Sequence, residues 1–183
     1  MKVYVAGGDI SYVNNLTDLE VVSRVSQADL VLFTGGSDVS PFLYGESPNA
    51  RTFSDFHRDR FEQNVFKTAA EDEIPMLGIC RGAQFLTVMN GGKLYQDVTD
   101  HAVGGGHSIT TIDGQTFQAT STHHQMMKPW DVEHKLLAWS TEPRSRHYQG
   151  GEGKIHDAPE REPEIVFYPK TRSLAIQPHP EYM

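Results

Sequence analysis

Cysteine is almost absent from this 183-residue chain: Cys80 is the single example, so no disulfide can form within it and nothing marks an oxidising compartment. Long apolar runs are missing as well. None approaches the roughly 20 residues a membrane span needs, and the apolar stretch at the N-terminus is too short for a signal-peptide core. A cytoplasmic chain with no membrane partner is the expectation. Basic charge is scarce, with 16 Lys+Arg against 24 Asp+Glu and a net charge of −8, and an acidic body repels polyphosphate. No nucleic-acid partner is expected. Internal repeats and low-complexity tracts are also lacking. What is present, 38% hydrophobic residues with 9 Phe, 7 Tyr and 2 Trp, suits one folded domain over residues 1–183, with no room for a synthetase domain beside it.

The apolar pattern predicts strands at residues 2–6 and 30–34, with a helix between them from Leu16, Leu19, Val22 and Val25. A second helix is predicted over 59–72, where Phe61, Val65 and Ala69 recur at four-residue intervals. Ile74-Pro75 breaks it before a buried strand, Met76-Leu77-Gly78-Ile79, that runs straight into Cys80. A helix over 83–89 closes at Gly91-Gly92. Strand, helix, strand, helix, strand, helix implies an α/β fold with a mostly parallel sheet covered by helices on both faces. The second half predicts added antiparallel strands at 108–112, 116–121 and 136–140, and a hairpin of 164–168 with 173–177. Residues 141–163, rich in Gly, Pro and charge, read as a long exposed loop.

Gly78-Ile79-Cys80-Arg81-Gly82 places a cysteine at a strand-to-helix junction between two glycines. Such a turn strains the apex residue and needs small neighbours two positions away, and a sulfur at the helix N-terminus is favoured as thiolate. The same five residues also suit a structural cysteine in a tight turn. Near the C-terminus, Gln177-Pro178-His179-Pro180-Glu181 offers the base and orienting acceptor that a thiol nucleophile needs, in the order Cys, His, Glu. Alone, these would be polar residues at a terminus.

The segment from Gly78 to Gln84 together with His179-Pro180-Glu181 resembles the class I glutamine amidotransferase superfamily, which has a flavodoxin-like fold. Further segments resemble its γ-glutamyl hydrolase branch, the peptidase C26 group that includes γ-glutamyl-γ-aminobutyrate hydrolase. These are Thr34-Gly35-Gly36-Ser37-Asp38-Val39-Ser40-Pro41, Tyr44-Gly45-Glu46, Arg58-Asp59 with Phe61-Glu62, the run from Gly91 to Val98, and Ser121-Thr122-His123-His124-Gln125. The resemblance implies Cys80 as nucleophile, His179 as general base and acid, and Glu181 as the residue that orients it. It implies an oxyanion hole from the backbone N–H groups of Gly36 and Arg81, with Gly35 allowing the tight loop. Gln84, Ser121 and His123 would meet the glutamyl part of a small γ-glutamyl substrate.

The implied reaction is hydrolysis of a γ-glutamyl amide through a thioester on Cys80, with no cofactor. Alternatives are a glutaminase subunit that hands ammonia to a separate synthetase or amidoligase, and a degenerate member that only binds. His123-His124 invites a metal reading, but adjacent histidines point apart in a strand and no His-x₃-His helix spacing occurs, so no metal is expected. Asp38, Asp59 and Asp97 are expected to tie loops, and Arg81 to serve structure or thiolate electrostatics through its charge. Pro178 stands where relatives usually carry an aromatic residue, the chain stops two residues after Glu181, and its N-terminal region is shorter than is usual in the branch. Loops 40–57 and 141–163 are expected to select the leaving amine.

Overall fold

The computed structural model describes residues 1–7 and 18–182. Its strands are β1 (Lys2–Ala6), β2 (Glu20–Val21), β3 (Leu30–Phe33), β4 (Met76–Ile79), β5 (Lys93–Tyr95), β6 (Asp97–Val98), β7 (Ala102–Thr111), β8 (Thr116–Thr122), β9 (Met126–Lys128), β10 (Lys135–Ser140), β11 (Tyr148–Gln149), β12 (Pro163–Tyr168) and β13 (Ser173–Ile176). The described α-helices are α1 (Phe56–Glu71) and α2 (Arg81–Met89). Nine strands form one sheet in the order β2-β1-β3-β4-β13-β12-β10-β7-β8. The first five run parallel, and from β13 onward every pairing is antiparallel. The expected parallel core with added antiparallel strands is what the chain forms.

Alternation along the parallel strands sorts the core into two sides. Ala6, Val31, Phe33 and Met76 share one cluster with Val65, Phe66 and Ala69 of α1 and Phe85, Leu86 and Val88 of α2. Val3, Leu32, Ile79 and Cys80 form the other, with Val5, Leu19, Leu30 and Leu77 half-buried against them. Both described helices thus stand on the same face. The helix expected from Leu16 to Val25 is not formed over its described part. Leu16 lies outside the described residues, and from residue 18 onward the segment forms β2 and a single 3₁₀ turn at Val25–Gln27. Leu19 and Val25 pack in the two different clusters, so their spacing marks a segment that crosses the sheet edge rather than one helical stripe.

Helix α1 starts three residues earlier than its apolar pattern, because the Asp55 carboxylate accepts the His57 and Arg58 N–H groups as an N-cap. Helix α2 needs room at its start. A Cβ on Gly78 would stand 2.4 Å from the Gly82 carbonyl oxygen, and one on Gly82 would stand 2.1 Å from the Phe33 carbonyl oxygen. Both obstacles are backbone, so the helix can approach β3 and β4 this closely only without side chains at 78 and 82. Gly82→Ala is expected to cost about 3 kcal/mol in urea denaturation by overpacking; a loss within experimental error would contradict this close approach.

The 141–163 segment is not simply exposed. Tyr148 and Glu162 are buried, and the Glu162 carboxylate accepts the Tyr148 hydroxyl at 2.7 Å and the Arg144 and Ser145 N–H groups at 2.9 and 2.8 Å. Burial alone would raise the Glu162 pKa, but His101 first, then the Ser145 N–H and the Tyr148 hydroxyl, bring it down to about 2. The carboxylate therefore fixes the loop as an anion. Its hydrophobic anchors are too few and too irregular to show a period in sequence.

Candidate active site

Three strand ends meet at the carboxyl edge of the sheet, where open α/β sheets bind ligands. Strand β3 runs into Thr34-Gly35-Gly36, β4 into Cys80 and β13 into Gln177-Pro178-His179. Ile79 pairs with Ile176, and the Cys80 N–H donates to the Ile176 carbonyl at 2.8 Å, so the chain leaves β13 toward His179 alongside Cys80. Cys80 itself has φ 52° and ψ −108°, a backbone conformation that side chains rarely adopt. Strain at the apex of a strand-to-helix turn presents the side chain above the sheet.

The thiol is buried and its pKa is pushed up to about 12. Burial is the largest cause; the Arg81 N–H opposes it, while the charges of Glu181, Asp38 and Glu164 add to it. The helix terminus does favour the thiolate, as the sequence predicts, but desolvation outweighs it. A neutral resting thiol has a consequence for stability. Below the ordinary value of 9.0 the thiol is protonated in the folded and the unfolded chain alike and adds no pH dependence. Between there and about 12 the unfolded chain gives up its proton first, so stability falls as pH rises. Unfolding midpoints of the wild type and Cys80→Ala are expected to diverge above about pH 9, with the wild type falling faster; parallel curves would contradict the burial.

His179 is also buried, and its Nδ1 lies 2.6 Å from Glu181 Oε1. With an ionised carboxylate as acceptor, Nδ1 carries the proton in this contact and Nε2 keeps its lone pair. The backbone of His179 is held by β8: its N–H donates to Thr120 Oγ1 at 2.8 Å, and the Thr120 hydroxyl donates to its carbonyl at 3.1 Å. Tyr182 stacks on the imidazole at 5.1 Å between ring centroids. Neither Thr120 nor Tyr182 was expected from the sequence. With Pro178 before the histidine, the aromatic neighbour comes from the residues after it.

Gly36 is exposed with φ 139°, and a Cβ there would stand 2.2 Å from Arg58 Nη1, so its backbone amide sits in a loop that only glycine fits. Half-buried Gly35 precedes it. A buried ionic group holds this loop from beneath. The Arg81 guanidinium bonds Glu62 and Asp59, each at very short range, and donates from Nε to the Ser37 carbonyl at 3.2 Å. Asp59 also accepts the Ser40 N–H at 3.0 Å. Arg58 donates to Glu62 at 2.8 Å and to the Thr34 carbonyl at 2.9 Å. Residues 34–40 are thus fastened at three points to α1 and α2. Burial, and then Arg58, bring the Arg81 pKa down to about 10, which leaves it a cation at neutral pH, while burial raises that of Asp59 against the pull of Arg81. Arg81 accordingly serves the structure with its side chain and offers only its backbone N–H to the sulfur.

The residues expected to meet substrate are turned inward. Gln84 donates to the Gln125 carbonyl at 3.1 Å and to Gln177 Oε1 at 3.3 Å, so it braces α2 against the chain on either side. Ser121 donates at short range to the His101 carbonyl, and His123 Nδ1 lies 2.7 Å from the Gln125 carbonyl. His123 is fully buried, and burial, followed by the neighbouring His101, holds its pKa well below the usual histidine range. His124 points the other way, to Asp38 at 3.1 Å and Asp97 at 3.4 Å, so the two aspartates tie loops as expected. A cleft of about 690 Å³ opens elsewhere, between Tyr95, Trp130, Leu136 and His156, and none of the catalytic candidates lines it.

The model of the peptidase C26 family matches residues 2–144. That span includes Gly36, Cys80, Gln84 and His123 and ends before His179. A Lactococcus lactis protein described as glutamine amidotransferase-like, YvdE, is 46% identical over 105 residues, which cover 57% of this chain and 43% of that protein. The γ-glutamyl-γ-aminobutyrate hydrolase PuuD of Escherichia coli is 38% identical over 64 residues, 35% of this chain and 25% of that enzyme. The chain spans about half the length or less of these curated relatives. Among solved structures, a glutamine amidotransferase from Thermotoga maritima superposes with a TM-score of 0.65 at 14% identity, covering 98% of this chain and 76% of that one. PurLQS from the same organism matches equally well, with a TM-score of 0.65 at 14% identity over 98% of this chain and 87% of that one. At such identities the likeness is one of fold.

Proposed function

The chain belongs to the peptidase C26 family, and from that membership we propose that it hydrolyses γ-glutamyl amides through a thioester on Cys80. The observation that carries the reading is the strained cysteine at φ 52°, with the Arg81 N–H at its sulfur and the 2.6 Å His179–Glu181 pair at the end of the neighbouring strand. Transfer of the thiol proton to His179 Nε2 accompanies attack of the sulfur on the side-chain carbonyl. This step overcomes the raised thiol pKa by forming a thiolate only against an imidazolium. The Gly36 and Arg81 N–H groups receive the negative oxygen. Collapse breaks the C–N bond as His179 gives its proton to the departing amine or ammonia. Water then attacks the thioester, its proton passes to His179, and release of glutamate returns that proton to sulfur. Glu181 keeps the imidazole oriented throughout. Glu181→Gln is expected to lower kcat by about 10²-fold or more with little change in KM, and unchanged kcat would remove Glu181 from the site.

Similarity to amidotransferases supports a second reading, in which the same chemistry supplies ammonia to a partner synthetase. Purified protein assayed against glutamine and a panel of γ-glutamyl amines separates the two. Strong turnover of one γ-glutamyl amine by the isolated chain supports the hydrolase. Weak glutaminase activity that rises with an added synthetase supports the subunit.

A further inference from the structure

Five titratable side chains are buried together beside β8, outside the Cys80–His179–Glu181 group: His101, His107, His123, Glu162 and Glu164. No regular strand could assemble them. His101 and His107 would lie about 20 Å apart along an extended chain, yet their ring centroids are 5.2 Å apart. A bulge in β7 brings them together: Val103 faces Ser121 and His107 faces Ala119, so four steps of β7 oppose two of β8. Gly106 makes the bulge possible, with φ 79° and no space for a Cβ, which would stand 2.0 Å from the Ala119 carbonyl oxygen. The His101 and His123 rings are 4.8 Å apart between centroids.

The hydrogen bonds of this cluster are incomplete in a consistent way. His123 Nδ1 is engaged with the Gln125 carbonyl, and its Nε2 has no partner. Around His101, Nε2 lies 3.2 Å from Glu162 Oε2 and Nδ1 lies 3.7 Å from Glu164 Oε1, neither in hydrogen-bonding geometry. Glu164 Oε1 contacts His107 Nε2 at 2.8 Å, and Glu164 Oε2 has no partner. Buried polar atoms are seldom left so. One donor atom from each of His101, His123 and Glu164 falls within 4.8 Å of the others.

We propose that His101, His123 and Glu164 form a buried binding site for one divalent transition-metal ion of the zinc type. Two imidazoles and one carboxylate are a donor set that zinc accepts, with a fourth position left open. The surrounding partners are those that orient metal ligands: a backbone carbonyl on the far nitrogen of His123, a carboxylate beside His101, and an imidazole on the second oxygen of Glu164. A divalent cation would also balance the two buried carboxylates, which are costly without a compensating charge. An ion about 2.1 Å from each donor holds the donors roughly 3.4 Å apart, so side-chain rotations that bring them at most about 1.4 Å closer complete the site. His123 would then be a ligand, contrary to its expected role at the substrate, and the site would join the chain around β7, β8 and β12. The proposal does not depend on the hydrolase reading.

The test uses the full-length protein, stripped with a chelator and equilibrated with Zn²⁺. One Zn²⁺ per chain is expected, retained by Cys80→Ala and weakened more than 10-fold in both His101→Asn and Glu164→Gln. Failure to take up stoichiometric Zn²⁺, or uptake unchanged in both variants, overturns the site. Should the variants fail to fold, Co²⁺ in the wild type still decides. Ligand-field bands without a thiolate charge-transfer band support the proposed nitrogen and oxygen donors, whereas a charge-transfer band assigns the ion to Cys80 and overturns the proposal.

Discussion

Cys80→Ala is expected to lose γ-glutamyl hydrolysis by about 10⁴-fold or more while the protein keeps its near-UV circular dichroism and unfolds cooperatively. The size of the loss follows from the absence of any other thiol in the chain and from the backbone conformation that presents this one. Removing the sulfur deletes the covalent step outright, and it leaves the Gly36 and Arg81 N–H groups with no attacking atom to support. The fold survives because alanine removes only the sulfur of a small buried side chain. The decisive comparison is kcat at saturating substrate. Activity within a few fold of wild type would show that another residue carries the reaction.

The largest loss of stability is expected from Arg81→Met. This change leaves Asp59 buried without the cation it shares with Glu62, and Glu62 with Arg58 alone, which costs about 3–5 kcal/mol. Coulomb attraction in the intact group does not make it a net source of stability of that size. The loss reflects two buried carboxylates left with Arg58 as their remaining cation. Combining Arg81→Met with Glu62→Gln and Asp59→Asn is therefore expected to recover part of the lost stability, an outcome that simple addition of effects does not give. Activity is expected to fall further than stability alone explains, because the Ser37 carbonyl loses its tie and the loop carrying Gly36 loosens. Urea denaturation measures the first effect and kcat under folding conditions the second. A stability loss below about 1 kcal/mol would show that the ionic group is not needed beneath the loop.

The parts of the site set by short spacings were legible in the sequence. Gly78 and Gly82 flank Cys80 because β4, α2 and β3 must nearly touch, and that need leaves its mark two residues on either side of the turn. The His179–Glu181 contact is equally local, two residues apart on one segment. The ionic group beneath the loop was half legible. Arg58, Asp59 and Glu62 stand within one helix, but their link to Arg81 and to residues 34–40 depends on how two helices pack on one face. The histidine cluster was hidden altogether. His123 drew attention through its adjacent His124, yet its actual neighbours come from a glycine bulge in β7 and from β12, some 40 residues further along, and no periodicity announces either. Residues 19–25 misled for a related reason: apolar residues at helical spacing also suit a chain that turns around a sheet edge and feeds both cores.

Peptide mapping after treatment with a glutamine-mimicking electrophile tests the central claim most directly. The expected result is one adduct per chain, on the peptide that carries Cys80, formed in step with the loss of hydrolysis and blocked by excess γ-glutamyl substrate. An unmodified Cys80 in protein that has lost its activity to the reagent, or an adduct on another residue that tracks that loss, would contradict it.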